Sequence, residues 1–179
     1  TQEGLYQHYR TVAEACDIPI VLYNVPGRTG VNLLPETVAR LASDCANIVG
    51  LKDATGSLAQ ASETLEKIGS RDFDLVSGED GIVLPLLSIG AKGVISVFSN
   101  IAPRSMSDLV AAWKAGDIQR ARAIHLSHLD LCRTLFIETN PVPVKTAAAL
   151  LGYCREDLRL PLVPMTQANR QKLIASMKA

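Results

Sequence analysis

Four short apolar runs recur along the chain without alternating polarity, and they limit what it can fold into. They occupy residues 18–23 (IPIVLY), 47–52 (NIVGLK), 73–78 (FDLVSG) and 93–97 (GVISV). Each is too short for a helix, and continuous apolarity suits strands covered on both faces, as in a parallel sheet. Amphipathic stretches fill the gaps. Pro35 and Glu36 open a helix over 35–43, Ser57 caps one over 58–68, and Asp80 precedes one over 82–89. The order is β-α-β-α-β-α-β, with repeats of roughly 20 to 29 residues, the size of a βα unit. Beyond the fourth strand the pattern predicts only helices, over 103–115, 117–138, 141–151 and 166–177.

Four βα units fit either a doubly wound sheet or half of a (β/α)8 barrel. A complete barrel typically takes about 250 residues, and this chain has 179. No Gly-x-Gly-x-x-Gly fingerprint or Walker sequence marks a nucleotide site, since the glycine pairs 27/30, 78/81 and 90/93 all lack the opening Gly-x-Gly. No Gly-x-Ser-x-Gly elbow marks an acyl-transfer nucleophile.

Composition removes other functions. Lys plus Arg and Asp plus Glu number 18 each, so no net basic field exists to hold a nucleic acid or an anionic membrane. No apolar run approaches the roughly 20 residues of a spanning helix. Cys16, Cys45, Cys132 and Cys154 form no Cys-x-x-Cys pair, which reads as reduced thiols in a cytoplasmic protein. His8, His125 and His128 do not cluster with carboxylates, and the last two fall on a helix expected at the surface, so no metal site is expected. The charged stretches 155–157 and 172–178 read as solvated faces. Residues 1–10 are polar and lack the segments of a secretion signal.

The candidate chemistry lies at strand ends. Counting by twos, Ile48, Gly50 and Lys52 share one strand face, so Gly50 would leave ligand space beneath the amine. In a barrel this end opens into the active-site mouth. There, low dielectric disfavours the ammonium and frees the amine to attack a ketone. Tyr23 closes the preceding strand, where its phenol could exchange protons. Arg28 follows in a loop stiffened by Pro26 and made pliable by Gly27 and Gly30, suited to forking a carboxylate. Backbone around Gly78 could meet a ligand, while Glu79 and Asp80 read as helix capping.

These residues bring a family into view. YNVPGRTG at 23–30, GLKDATG at 50–56, SGED at 77–80, GVISV at 93–97 and NPVPVK at 140–145 together resemble the dihydrodipicolinate synthase family of pyruvate-dependent class I aldolases. The resemblance runs over essentially the whole chain. It implies an α/β fold that is the C-terminal half of a (β/α)8 TIM barrel, with the last four βα units over 1–115 and a C-terminal helical region over 116–179. It implies that Lys52 and Tyr23 are catalytic, Lys52 as Schiff-base amine with pyruvate and Tyr23 as proton shuttle. It further implies that Arg28 binds the carboxylate of aspartate semialdehyde, and that Gly78 and Ile95 line the pyruvate pocket with backbone. The reaction implied makes 4-hydroxy-tetrahydrodipicolinate in lysine and diaminopimelate biosynthesis. It would take place in the cytoplasm in a homotetramer, with no cofactor, metal, nucleic acid or membrane. The first residues resemble the start of the helix after the fourth barrel strand, so the family's relay threonines and cross-subunit tyrosine have no counterpart here. Two alternatives remain at this point: a 2-oxo-acid aldolase similar to N-acetylneuraminate lyase, or a non-catalytic oligomeric fragment.

Overall fold

The computed structural model of the protein describes residues 1–178, which gather into two compact units, the first Thr1–Ile95 and the second beginning at Ser96. The first opens with α1 (Gln2–Glu14), capped by the Thr1 hydroxyl accepting from the Gly4 N–H at 3.1 Å. Strands β1 (Ile20–Asn24), β2 (Ile48–Asp53), β3 (Asp74–Ser77) and β4 (Gly93–Val94) then pair in that order, all parallel. After β1 come α2 (Pro26–Thr29) and α3 (Pro35–Asp44); α4 (Leu58–Ile68) follows β2 and α5 (Val83–Ser88) follows β3. The βα repeat and the Ser57 cap expected from the sequence are both present.

The core joins sheet to helices. Leu22, Leu51 and Leu75 at the strand centres pack in one cluster with Val38, Leu41, Ala61 and Leu86 from the helices. Full burial of such a side chain stabilises by about 1.5–3 kcal/mol. The opposite sheet face is open, with Val21, Tyr23 and Ile95 all exposed.

The register contains an irregularity that simple alternation does not foresee. Ile20 pairs with Ile48, yet Val21 pairs with Gly50, so Val49 is an extra residue in β2. Ile48 therefore joins the helix-side core, and only Gly50 and Lys52 share the open face with Val21 and Tyr23. This corrects the expected grouping of Ile48 with Lys52.

Other boundaries shift for local reasons. Residues 26–29, expected as loop, form one helical turn, opened by Pro26 and closed by Gly30 at φ 71°, whose N–H bonds back to the Pro26 carbonyl. The helix expected from 82 starts earlier, as a 3-10 turn over Asp80–Ile82 for which Glu79 supplies the cap. Strand β4 is brief because the chain turns at 96–100, where the Ser96 hydroxyl accepts from the Ser99 N–H at 2.8 Å.

The second unit contains α6 (Pro103–Lys114), α7 (Ile118–Thr134), α8 (Val142–Leu150) and α9 (Gln167–Ser176). The sequence reading groups α6 with the repeats before 115; by contacts it packs on α7 and on the turn Phe98–Asn100. His125 and His128 are not on a surface face as expected. His125 is buried, and the His128 ring lies 4.6 Å from that of Phe98. Glu156 is not a solvated charge either. Its carboxylate accepts from the Thr146 hydroxyl at 2.6 Å and from Arg170 at 2.6 and 2.8 Å, tying α8 to α9. Nearby, the Lys145 ammonium donates to the Asp157 carbonyl. Among the described residues the four cysteines are free thiols, Cys45 and Cys132 buried, and no helix is long and apolar enough to cross a membrane.

Candidate active site

Strands β1 and β2 end together, and their register places Tyr23 directly beside Lys52. Both project from the open face. The Lys52 Nζ sits 4.1 Å from the centroid of the Tyr23 ring, a cation over the negative π face, worth about 0.5–1 kcal/mol at a site this open. Lys52 is half-buried and Tyr23 is 42% exposed. The amine and phenol singled out in the sequence therefore meet, through the ring face. The described residues do not enclose the amine in the apolar pocket that was expected.

The neighbouring strand sets the lysine's path. The Gly78 N–H donates to the Asp53 carbonyl at 2.6 Å, carrying the sheet one residue past β3. A Cβ on Gly78 would lie 2.8 Å from Ala54 Cβ and 3.1 Å from both the Asp53 carbonyl oxygen and Lys52 Cε, so alanine there would crowd the strand end and press on the lysine stem. The Ile95 N–H donates to the Ser77 carbonyl at 2.9 Å. With both N–H groups engaged in the sheet, any backbone contact of Gly78 or Ile95 with a ligand must come from the carbonyls.

Gly50 has a different reason from the one expected. A Cβ there would meet the Asp74 carbonyl oxygen at 2.6 Å, so it permits close strand approach at the bulge and is not a space for ligand atoms.

Arg28 rides on α2, five residues beyond Tyr23, with its side chain exposed. The excursion that carries it is held at its return by side chains that sequence reasoning missed. Asn24, 3% exposed, donates from Nδ2 to Asn32 Oδ1 at 2.8 Å and to the Leu33 carbonyl at 3.0 Å, and its Oδ1 accepts from the Leu33 N–H at 3.0 Å. Gln60 on α4 and Asn32 exchange bonds of 2.8 and 3.1 Å. Asp53, also buried, accepts from the Thr55 N–H at 2.8 Å and hydroxyl at 2.7 Å, closing the turn that leads to the Ser57 cap. The signal for these residues is weak, because polar turn residues serve equally as solvated loop.

A parallel βα sheet with an amine and a phenol gathered at the carboxyl ends of its strands defines an α/β chain whose candidate site lies where such sheets carry their chemistry. The chain belongs to the dihydrodipicolinate synthetase family, whose model matches residues 1–179. The 4-hydroxy-tetrahydrodipicolinate synthase of Pelobacter propionicus is 58% identical over 179 residues, covering 100% of this chain and 61% of that protein. The crystal structure of dihydrodipicolinate synthase from Aquifex aeolicus, 47% identical, aligns with a TM-score of 0.96 over 99% of this chain and 60% of that one. The chloride-inhibited synthase of Acinetobacter baumannii, complexed with pyruvate, is 43% identical, with a TM-score of 0.94 over 99% of this chain and 60% of its own. The chain thus spans about 61% of the length of the curated relatives it matches, and its four strands are βα units of their (β/α)8 barrel.

Proposed function

We propose that the protein carrying these residues condenses pyruvate with aspartate semialdehyde to 4-hydroxy-tetrahydrodipicolinate, serving lysine and diaminopimelate biosynthesis in the cytoplasm as a homo-oligomer. The observation that carries this reading is the Lys52 amine held against Tyr23 at adjacent strand ends. The neutral amine adds to the C2 ketone of pyruvate, and loss of water leaves an iminium. The iminium withdraws electrons from C3, so a C3 proton departs and an enamine forms; its C3 then bonds to the aldehyde carbon, whose oxygen takes up a proton. That bond restores the iminium at C2, where the second substrate's own amino group adds and expels the Lys52 amine, closing the ring and freeing the enzyme. The iminium is itself the electron sink, so the reaction needs no organic cofactor. Tyr23, whose ring lies against the amine, passes protons through its hydroxyl as the iminium and then the enamine form. Arg28 presents a guanidinium fork to the carboxylate of the second substrate, and Gly78 and Ile95 supply backbone beside the bound keto acid. Family membership and the pyruvate complex of the A. baumannii relative support the substrate class.

The test is chemical trapping. Treating the intact protein with pyruvate and borohydride should reduce the iminium to a stable secondary amine, mapped by mass to Lys52; an unlabelled Lys52 defeats the reading.

A further inference from the structure

We propose that Asn24 is a positioning residue that holds Arg28 in place relative to the Lys52–Tyr23 pair, and thereby sets selectivity for a carboxylate-bearing acceptor. The inference rests on the reading of function above for what Arg28 grips. Asn24 directly follows Tyr23, and strand alternation sends its side chain to the other sheet face, where it is almost fully buried. Its carboxamide accepts from the Leu33 N–H and donates to the Leu33 carbonyl, both at 3.0 Å, the pair of bonds that a peptide group of an adjoining strand would make. Its backbone carbonyl accepts from the Ala54 N–H at 2.9 Å, two residues beyond Lys52. One residue therefore joins the lysine strand end to the return of the loop that presents Arg28.

A second layer locks the return. Asn32 and Gln60 brace each other, and Gln60 Nε2 reaches the Leu33 carbonyl at 3.2 Å. Gln2 donates to the Asn32 carbonyl at 2.8 Å and accepts from the Leu34 N–H at 3.1 Å and the Thr37 hydroxyl at 2.7 Å. These side-chain groups are uncharged, so the clamp keeps its strength as pH changes. A carboxamide offers a donor and an acceptor side by side in one plane; a carboxylate at 24 would face the Leu33 carbonyl and Asn32 Oδ1 without a proton to give.

The test uses the intact protein and the variants Asn24→Leu and Gln60→Leu, the second milder because Gln60 is half-buried and braces from outside. Asn24→Leu should raise the KM for aspartate semialdehyde about tenfold or more, and Gln60→Leu less, while the pyruvate KM stays within about twofold. Adding Arg28→Ala to Asn24→Leu should add little further loss. Trypsin should cut after Arg28 faster in both clamp variants, a readout independent of the chemistry. Equal losses for both substrates, full additivity with Arg28→Ala, or unchanged cleavage after Arg28 would overturn the inference. Absence of a pyruvate adduct on Lys52 in the unaltered protein instead sinks the reading of function, so the two failures are distinguishable.

Discussion

A methyl group on Gly78 would stand 3.1 Å from Lys52 Cε, tighter than side-chain carbons normally approach. Gly78 thus leaves the lysine stem room for its present path. Gly78→Ala should displace the lysine stem and lower kcat/KM by about ten- to hundredfold, because small misplacements of a reacting group are costly. Kinetics beside a melting curve separate this from unfolding: a loss of activity no larger than the loss of folded protein would contradict it.

The close contact at Gly50 predicts a different outcome. A Cβ 2.6 Å from the Asp74 carbonyl forces β2 and β3 apart, so Gly50→Ala should destabilise by about 1–3 kcal/mol. Urea unfolding measures it, and an unchanged midpoint would show that the strands yield without cost.

Tyr23 offers two properties that substitution can separate. Tyr23→Phe keeps the ring under the Lys52 ammonium and removes the hydroxyl. Turnover should fall about 10²-fold or more, the usual contribution of a positioned acid or base. Borohydride labelling of Lys52 by pyruvate should become slower but reach a similar extent, because the iminium still forms without the phenol. If labelling and turnover fall together, the phenol acts before iminium formation and not in the later proton transfers.

The helical unit should lose stability in mild acid. Burial pushes His125 below its ordinary value of 6.5, with the neighbouring His128 adding to the effect, and burial lowers His128 as well. The unfolded chain then binds more protons than the folded one once the pH drops below 6.5. Stability is fully present above that value and is lost as the pH falls through the lower folded values. The urea midpoint should decline between pH 7 and 5.5, and replacing His125 and His128 with apolar residues should flatten that dependence. A decline that persists in the double variant would assign it elsewhere.

Glu156 marks a second, lower window. The Arg170 guanidinium, with the Thr146 hydroxyl, holds its carboxyl below the ordinary 4.5, so its stabilisation is present above 4.5 and lost as the pH falls through the folded value. Both partners are less than a third exposed. At neutral pH Glu156→Gln should cost about 1–3 kcal/mol, read by chemical denaturation. A cost near zero would return Glu156 to the solvated face expected from the sequence.

Much of this arrangement is legible in the chain itself, and the parts that are not share a cause. Apolar runs mark the strands, and Pro35, Ser57 and Pro103 mark helix starts within a residue of where they fall, because caps and strand cores are local preferences. The pairing of Tyr23 with Lys52 is legible as two polar residues closing adjacent apolar runs. The extra residue at Val49 is not, because a bulge is decided by what two strands do together. The Asn24–Asn32–Gln60 clamp joins residues 8 and 28 positions apart, and a carboxamide in a loop gives no sign of its partner. His125 was expected at the surface because Arg120, Arg122, Asp130 and Arg133 mark α7 as a solvated helix, which hides the side it turns inward.

The doubled step in β2 makes the chemistry a matter of odd and even. Every residue from Gly50 onward owes the direction it faces to Val49 being left out of the pairing. Pair that valine in its turn and the strand must choose between dragging Ile48 out among water molecules and driving the amine into the layer of leucines. The apolar side chains of this strand could each give way to a relative of similar bulk, but a step added or lost between Gly50 and Lys52 would turn the amine around.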